Sequence, residues 1–148
     1  MLFWCAEHRR CIGFVILQSG ESPKHVYTVL TTRYQILLMI RFNKIPDYII
    51  YDNACNLSEY FLNRSPIDVI DSIIVTDGFH WPNHNNCGLT FHCKKYNGLK
   101  DIISVLHEQK NRRLDKLKSI STFMNYDSFA ELMVYIIHLM NMREIDII

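Results

Sequence analysis

Short, β-branched apolar runs alternate along this chain with segments whose apolar residues recur at helical spacing. Cys11-Ile12-Gly13-Phe14-Val15-Ile16-Leu17 is the pattern of a buried strand, ended by the turn signal Ser19-Gly20. Ser22-Pro23 is a helix start, a cap residue followed by proline at the first helical position, and the periodicity carries that helix to about Arg41. Asp47 to Asp52 reads as a second strand. Asn53 caps a helix with Leu57, Tyr60 and Phe61 on one face, and Ser65-Pro66 starts a further short helix. Ser72 to Asp77 is a third strand. No period survives between residues 78 and 97, a stretch rich in His, Asn, Cys and Gly that predicts a loop. From about Gly98 to Met124 the pattern is helical, with Ile102, Ile103, Leu106, Leu114, Leu117 and Ile120 on one side. A last helix, about Tyr126 to Arg143, is apolar enough to be mostly buried.

Strands that alternate with helices predict an α/β fold, a mixed and mostly parallel sheet with flanking helices. The 148 residues fit one domain: a strand and helix part at about 1–78, a His/Cys loop at about 79–97 and a helical part at about 98–148. The same order fits the second half of a ribonuclease-H-like fold. In such folds one catalytic aspartate lies on the first strand, a second ends the fourth, and a carboxylate comes from the last helix; Asp52 and Glu108 occupy the second and third places.

Composition narrows the function classes. Hydrophobic residues at 49% and charged residues at 21% are an ordinary globular balance. A net charge of +1 gives no whole-chain nucleic-acid signature, so any basic footprint is local. Five cysteines with no secretory leader predict an intracellular, reducing compartment rather than secretion. Apolar stretches are interrupted well before the roughly 18 residues that a membrane span needs, so no membrane partner is expected.

The candidate chemistry has a bland reading beside each sharp one. Converging carboxylates hold Mg²⁺ or Mn²⁺ in phosphodiester chemistry, where two ions about 4 Å apart activate the nucleophile and stabilise the leaving oxygen. Asp52 at a strand end is a ligand of that kind, or a turn former or helix cap. Asp77, before Gly78, is still more turn-like. Glu108 is a helix-borne metal ligand, or part of a solvated face with Arg112 as its i,i+4 partner. Lys110, Arg112, Arg113, Lys116 and Lys118 track DNA phosphates, or form a plain exposed face. Cys5-x2-His8 and His84-x2-Cys87 have spacings that zinc can use, and together make a structural Cys₂His₂ site tying the N-terminal segment to the loop. Cysteine is also a common small buried hydrophobe, and nothing singles out one thiol as a nucleophile.

Read in order, Cys5-x2-His8, Gly13-Phe14, Gly20-Glu21-Ser22-Pro23, Tyr51-Asp52-Asn53-Ala54-Cys55-Asn56, Glu59-Tyr60-x-Leu62-Asn63-Arg64-x-Pro66, Phe79-His80-Trp81-x2-His84-x2-Cys87, Glu108-Gln109-x-Asn111 and Phe123-Met124-Asn125 resemble the Kyakuja–Dileera–Zisupton (KDZ) transposases. The resemblance covers nearly the whole chain and implies the C-terminal part of a ribonuclease-H-like catalytic domain that cuts and joins DNA with a DDE triad. It implies Asp52 as the second acid and Glu108 as the third, both ligands of Mg²⁺ or Mn²⁺. Transposon-end DNA is the implied partner, self-association is allowed for, and the implied location is nuclear. The family's first aspartate belongs on a strand before the Cys-x2-His segment and has no counterpart here. The expectation is therefore a partial fold with its first strand missing, a fragment or relic not active alone. Residues 1–5 then pair in a hairpin with residues 11–17, and strands 47–52 and 72–77 lack a central neighbour. A co-opted, non-catalytic DNA- or protein-binding module is the alternative.

Overall fold

A computed structural model describes residues 1–6, 8–18, 20–34, 46–85, 87–99, 111, 112 and 114–142. The chain is mixed α/β with two small sheets and divides into two compact units, Met1–Ser19 with Ile102–Ile148, and Gly20–Asp101. No helix among the described residues is long and apolar enough to cross a membrane.

In the first unit, strand β1 (Leu2–Cys5) pairs antiparallel with β2 (Arg10–Phe14). Leu2 faces Phe14 and Phe3 faces Gly13, but Trp4 faces Cys11, so Ile12 is an extra residue and the strand bulges there. The main chains of Met1 and Val15 exchange two 2.9 Å bonds beyond the last pair. This is the expected hairpin, shortened at its far end, since residues 16 and 17 leave the ladder. The sharp reversal puts Arg9 at φ 54°, a left-handed conformation uncommon for a residue with a side chain.

Helix α4 (Tyr126–Met142) packs on that hairpin. Asn125 starts it, its side-chain oxygen accepting the Ser128 N–H at 2.8 Å. Met133, Ile136, Ile137 and Met140 recur at helical spacing and are buried. Met133 and Ile137 form a core with Cys11, packed by Leu2, Trp4, Phe14, Leu114 and Phe129. Only that stripe is buried: Val134, Tyr135 and Met142 are exposed, so the expectation of a mostly buried helix is corrected to a one-sided one. The long helix expected over 98–124 is also corrected. Asn97–Leu99 forms a 3₁₀ turn, and residues 114 and 115 are helical before a turn at 116 and 117. The short helix α3 (Lys118–Ser121) follows, and Ile120 points to solvent. Residues 100–110 of that expected helix and 35–41 of the first lie outside the described residues.

In the second unit, α1 (Pro23–Thr28) begins where predicted, with Ser22 extended and Pro23 at the first turn. It passes into π-helical turns over Val29–Tyr34. Thr31 bonds back to the Tyr27 carbonyl at 2.9 Å, competing with the backbone ladder in the way that distorts helices. Strand β3 (Tyr48–Ile50) runs parallel to β4 (Ile73–Val75), in the register Tyr48 to Ile73 and Ile50 to Val75. Backbone bonds at both ends lengthen the pairing, Ile73 to Asp47 at 2.8 Å and Tyr51 to Val75 at 2.9 Å. Helix α2 (Ala54–Leu62) makes the crossover, with Ala54, Leu57 and Phe61 buried, followed by a 3₁₀ turn over Pro66–Val69. Tyr27 of α1 meets Tyr60 and Phe61 of α2 edge-on, at centroid distances of 5.3 and 4.9 Å. On its other side β4 takes a parallel bridge between Thr76 and His92. The expected loop is a chain of 3₁₀ turns at Trp81–Asn83, Leu89–Phe91, Cys93–Lys95 and Asn97–Leu99.

Candidate metal centre

Two parallel strands leave a sheet at the same edge, so the segments that follow them start side by side. After β3 the chain runs through Tyr51, Asp52 and Asn53 into α2, whose second residue is Cys55. After β4 it turns at Asp77 and passes through the Trp81–Asn83 turn to His84 and Cys87. The two segments meet through their sulfurs and an imidazole. Cys55 Sγ and Cys87 Sγ are 2.8 Å apart, His84 Nδ1 lies 3.3 Å from Cys87 Sγ, and it lies 3.7 Å from Cys55 Sγ. All three residues are half-buried.

Among the described residues this is the group of three or more His, Cys, Asp or Glu that could hold a metal ion, with its donor atoms within 4.8 Å of one another. Two thiolates and an imidazole are the soft donors that zinc takes, and three protein ligands leave a fourth position for water or another donor. Trp81 stacks on His84 with its ring within 11° of parallel and leans on His92 at 4.6 Å, which orients the imidazole. The Cys87 thiol donates to Cys55; that bond, with burial and the charge of Cys55, pushes it up to about 11. Metal binding must displace that proton.

The sequence reading drew His84 and Cys87 into a zinc set with Cys5 and His8, and omitted Cys55. Here His84 and Cys87 gather on Cys55, while Cys5 and His8 pair with each other in the first unit, Sγ to Nδ1 at 3.1 Å. The signal for Cys55 was its place three residues beyond Asp52, at the start of the helix that leaves β3. It becomes a metal signal only once β3 and β4 are known to be parallel neighbours.

Asp52 sits exposed in the turn after β3, and Asn53 takes the position before α2 without a side-chain cap bond. Its surroundings include a carboxylate absent from the sequence-derived site, Glu21. Partial enclosure of that exposed residue's carboxylate, then the negative charge of Asp52, raise Glu21 above the usual carboxylate range, against a hydrogen bond from Tyr51. Burial first, and then Glu21 and Asp52, raise the Tyr51 phenol. Two carboxylates and a phenol therefore share the exit of β3.

Asp77 is the turn former that its sequence context predicts. Its Oδ1 accepts the backbone N–H groups of Phe79 at 2.7 Å and His80 at 2.9 Å, and its Oδ2 accepts from His80 Nδ1 at 2.8 Å. Arg112, Lys116 and Lys118 are exposed, as both the phosphate-binding and the plain-surface readings require. Glu108, Lys110 and Arg113 lie outside the described residues.

Against this geometry, no family model, curated protein or solved structure matches the chain.

Proposed function

We propose that this chain is the C-terminal part of a ribonuclease-H-like, DDE-type transposase catalytic domain of the KDZ kind, acting on DNA in the nucleus. In this reading Asp52 and Glu108 are ligands of Mg²⁺ or Mn²⁺, and Cys55, His84 and Cys87 hold a structural zinc ion. The observation that carries the proposal is the convergence of Cys55 with His84 and Cys87. The two sequence blocks on which the family resemblance rests meet through side chains able to ligate a metal, at the edge where Asp52 leaves β3. A bound divalent ion supplies nucleophile activation and stabilisation of the leaving oxygen. The chain's own part is to hold a carboxylate at the strand exit, with Glu21 and Tyr51 beside it.

The test is metal binding by the whole chain, read separately at the two centres. Zinc uptake measured by elemental mass spectrometry is expected at one ion per chain, and to fall at least about tenfold in affinity on Cys55→Ser or His84→Ala. Mn²⁺ binding, followed by electron paramagnetic resonance, is expected to weaken on Asp52→Ala with zinc content unchanged. Mn²⁺ binding indifferent to Asp52 would remove the catalytic assignment. A non-catalytic DNA- or protein-binding module is the second reading, favoured by the exposure of Arg112, Lys116 and Lys118. It expects salt-sensitive DNA binding that survives Asp52→Ala and is lost when those cations are neutralised.

A further inference from the structure

Of the separations in the Cys55–His84–Cys87 group, the one between the two sulfurs is the shortest, 2.8 Å against 3.3 and 3.7 Å to the imidazole. Two thiolates on one tetrahedral zinc ion stand roughly 3.8 Å apart, given Zn–S bonds of about 2.3 Å. A disulfide brings the sulfurs to about 2.05 Å. The observed separation lies between these, within about 1 Å of each. The same two sulfurs can therefore reach either state by small side-chain movements.

We propose that Cys55 and Cys87 are a reversible thiol–disulfide pair, so that the centre is a redox switch: reduced with metal, or oxidised without it. The proposal rests on the zinc reading given above. The oxidant is a small hydroperoxide, and the half-buried sulfurs are open to one. The sulfur of Cys55, 2.8 Å from that of Cys87, attacks the peroxide oxygen as a thiolate. The O–O bond breaks, an alcohol or water leaves, and Cys55 carries a sulfenic acid. Cys87, a thiolate in the zinc-loaded centre, then attacks that sulfur, the S–S bond forms, and hydroxide leaves, taking a proton from solvent to become water. Two thiols lose two electrons to one peroxide. Zinc departs because disulfide sulfurs carry no charge to hold it, and His84 alone is a weak anchor. The loop stays tied to α2 by the new covalent bond, so oxidation empties the centre without releasing the segment. Cys11 and Cys93 are deeply buried and lack this access.

The experiment treats the zinc-loaded chain with hydrogen peroxide and follows zinc release with a chromophoric chelator, alongside a non-reducing peptide map by mass spectrometry. The expected result is zinc release in step with a Cys55–Cys87 linkage two hydrogens lighter than the dithiol. A dithiol reductant restores the thiols and zinc uptake together. His84→Ala is expected to weaken zinc binding yet still form the linkage. Zinc bound by the reduced chain, with peroxide joining other cysteines or leaving Cys55 and Cys87 unlinked, would overturn the switch alone. Failure of the reduced chain to take up zinc would overturn the metal reading, and the switch with it.

Discussion

Asp77 illustrates how much one side chain can hold at a strand exit. It is 9% exposed, and its two oxygens take three donors from the segment that follows β4. Burial alone would raise such a carboxyl, but the bonds from His80 and Phe79, with the charge of His80, outweigh it and hold Asp77 below the usual carboxylate range. A carboxylate depressed in the folded state adds stability above its unfolded value, about 3.9, and loses it as pH falls through the lower folded value. Asp77→Asn is therefore expected to destabilise the chain by about 1–3 kcal/mol at pH 7. Its penalty should shrink as pH falls below about 4, where the unfolded carboxyl of the wild type takes up a proton before the folded one does. Urea unfolding of both proteins at pH 7 and pH 3 checks this; an equal penalty at the two values would refute the linkage.

At the scale of elements, β2 is held from outside its own ladder. The Asn141 side chain of α4 accepts the Cys11 N–H at 2.9 Å and donates to the Cys11 carbonyl at 2.7 Å. It pairs with the strand as a neighbouring strand would, 130 residues along the chain. Asn141→Ala removes both of these bonds to a buried residue and is expected to cost roughly 1–3 kcal/mol, read from the midpoint of denaturant unfolding. Asn141→Asp keeps the acceptor but sets a carboxylate oxygen against the Cys11 carbonyl, so a loss at least as large is expected. None of this is visible in the sequence, where Asn141 interrupts an apolar helix like any surface residue. The reading of one long helix over 98–124 failed for a related reason. Leu114, Leu117 and Ile120 keep helical spacing across a turn at 116 and 117, and spacing alone does not show that the α-helix is interrupted there.

At the scale of the whole molecule, the two units have different anchors. The first is built on apolar packing of α4 against the hairpin, and the second joins its loop to α2 through the Cys55–His84–Cys87 group. Zinc removal by a chelator is accordingly expected to speed amide exchange in residues 53–57 and 79–97 by at least about tenfold. Residues 2–14 and 126–142 should be unchanged, and uniform acceleration of both units would count against a local metal clamp. The sequence by itself determined the strands near residues 11, 48 and 73, the helix starts at Pro23 and Ala54, and the turn at Asp77. Each rests on local backbone chemistry: β-branched runs, proline at a first turn, an aspartate before glycine. It also marked His84 and Cys87 as a pair whose spacing zinc could use. Only the tertiary structure decided that Cys55 joins them, that Glu21 stands by Asp52, and that Asn141 serves β2. Those partners lie tens of residues apart, and the parallel pairing of β3 with β4 and the packing of α4 select them; local preference carries no record of either.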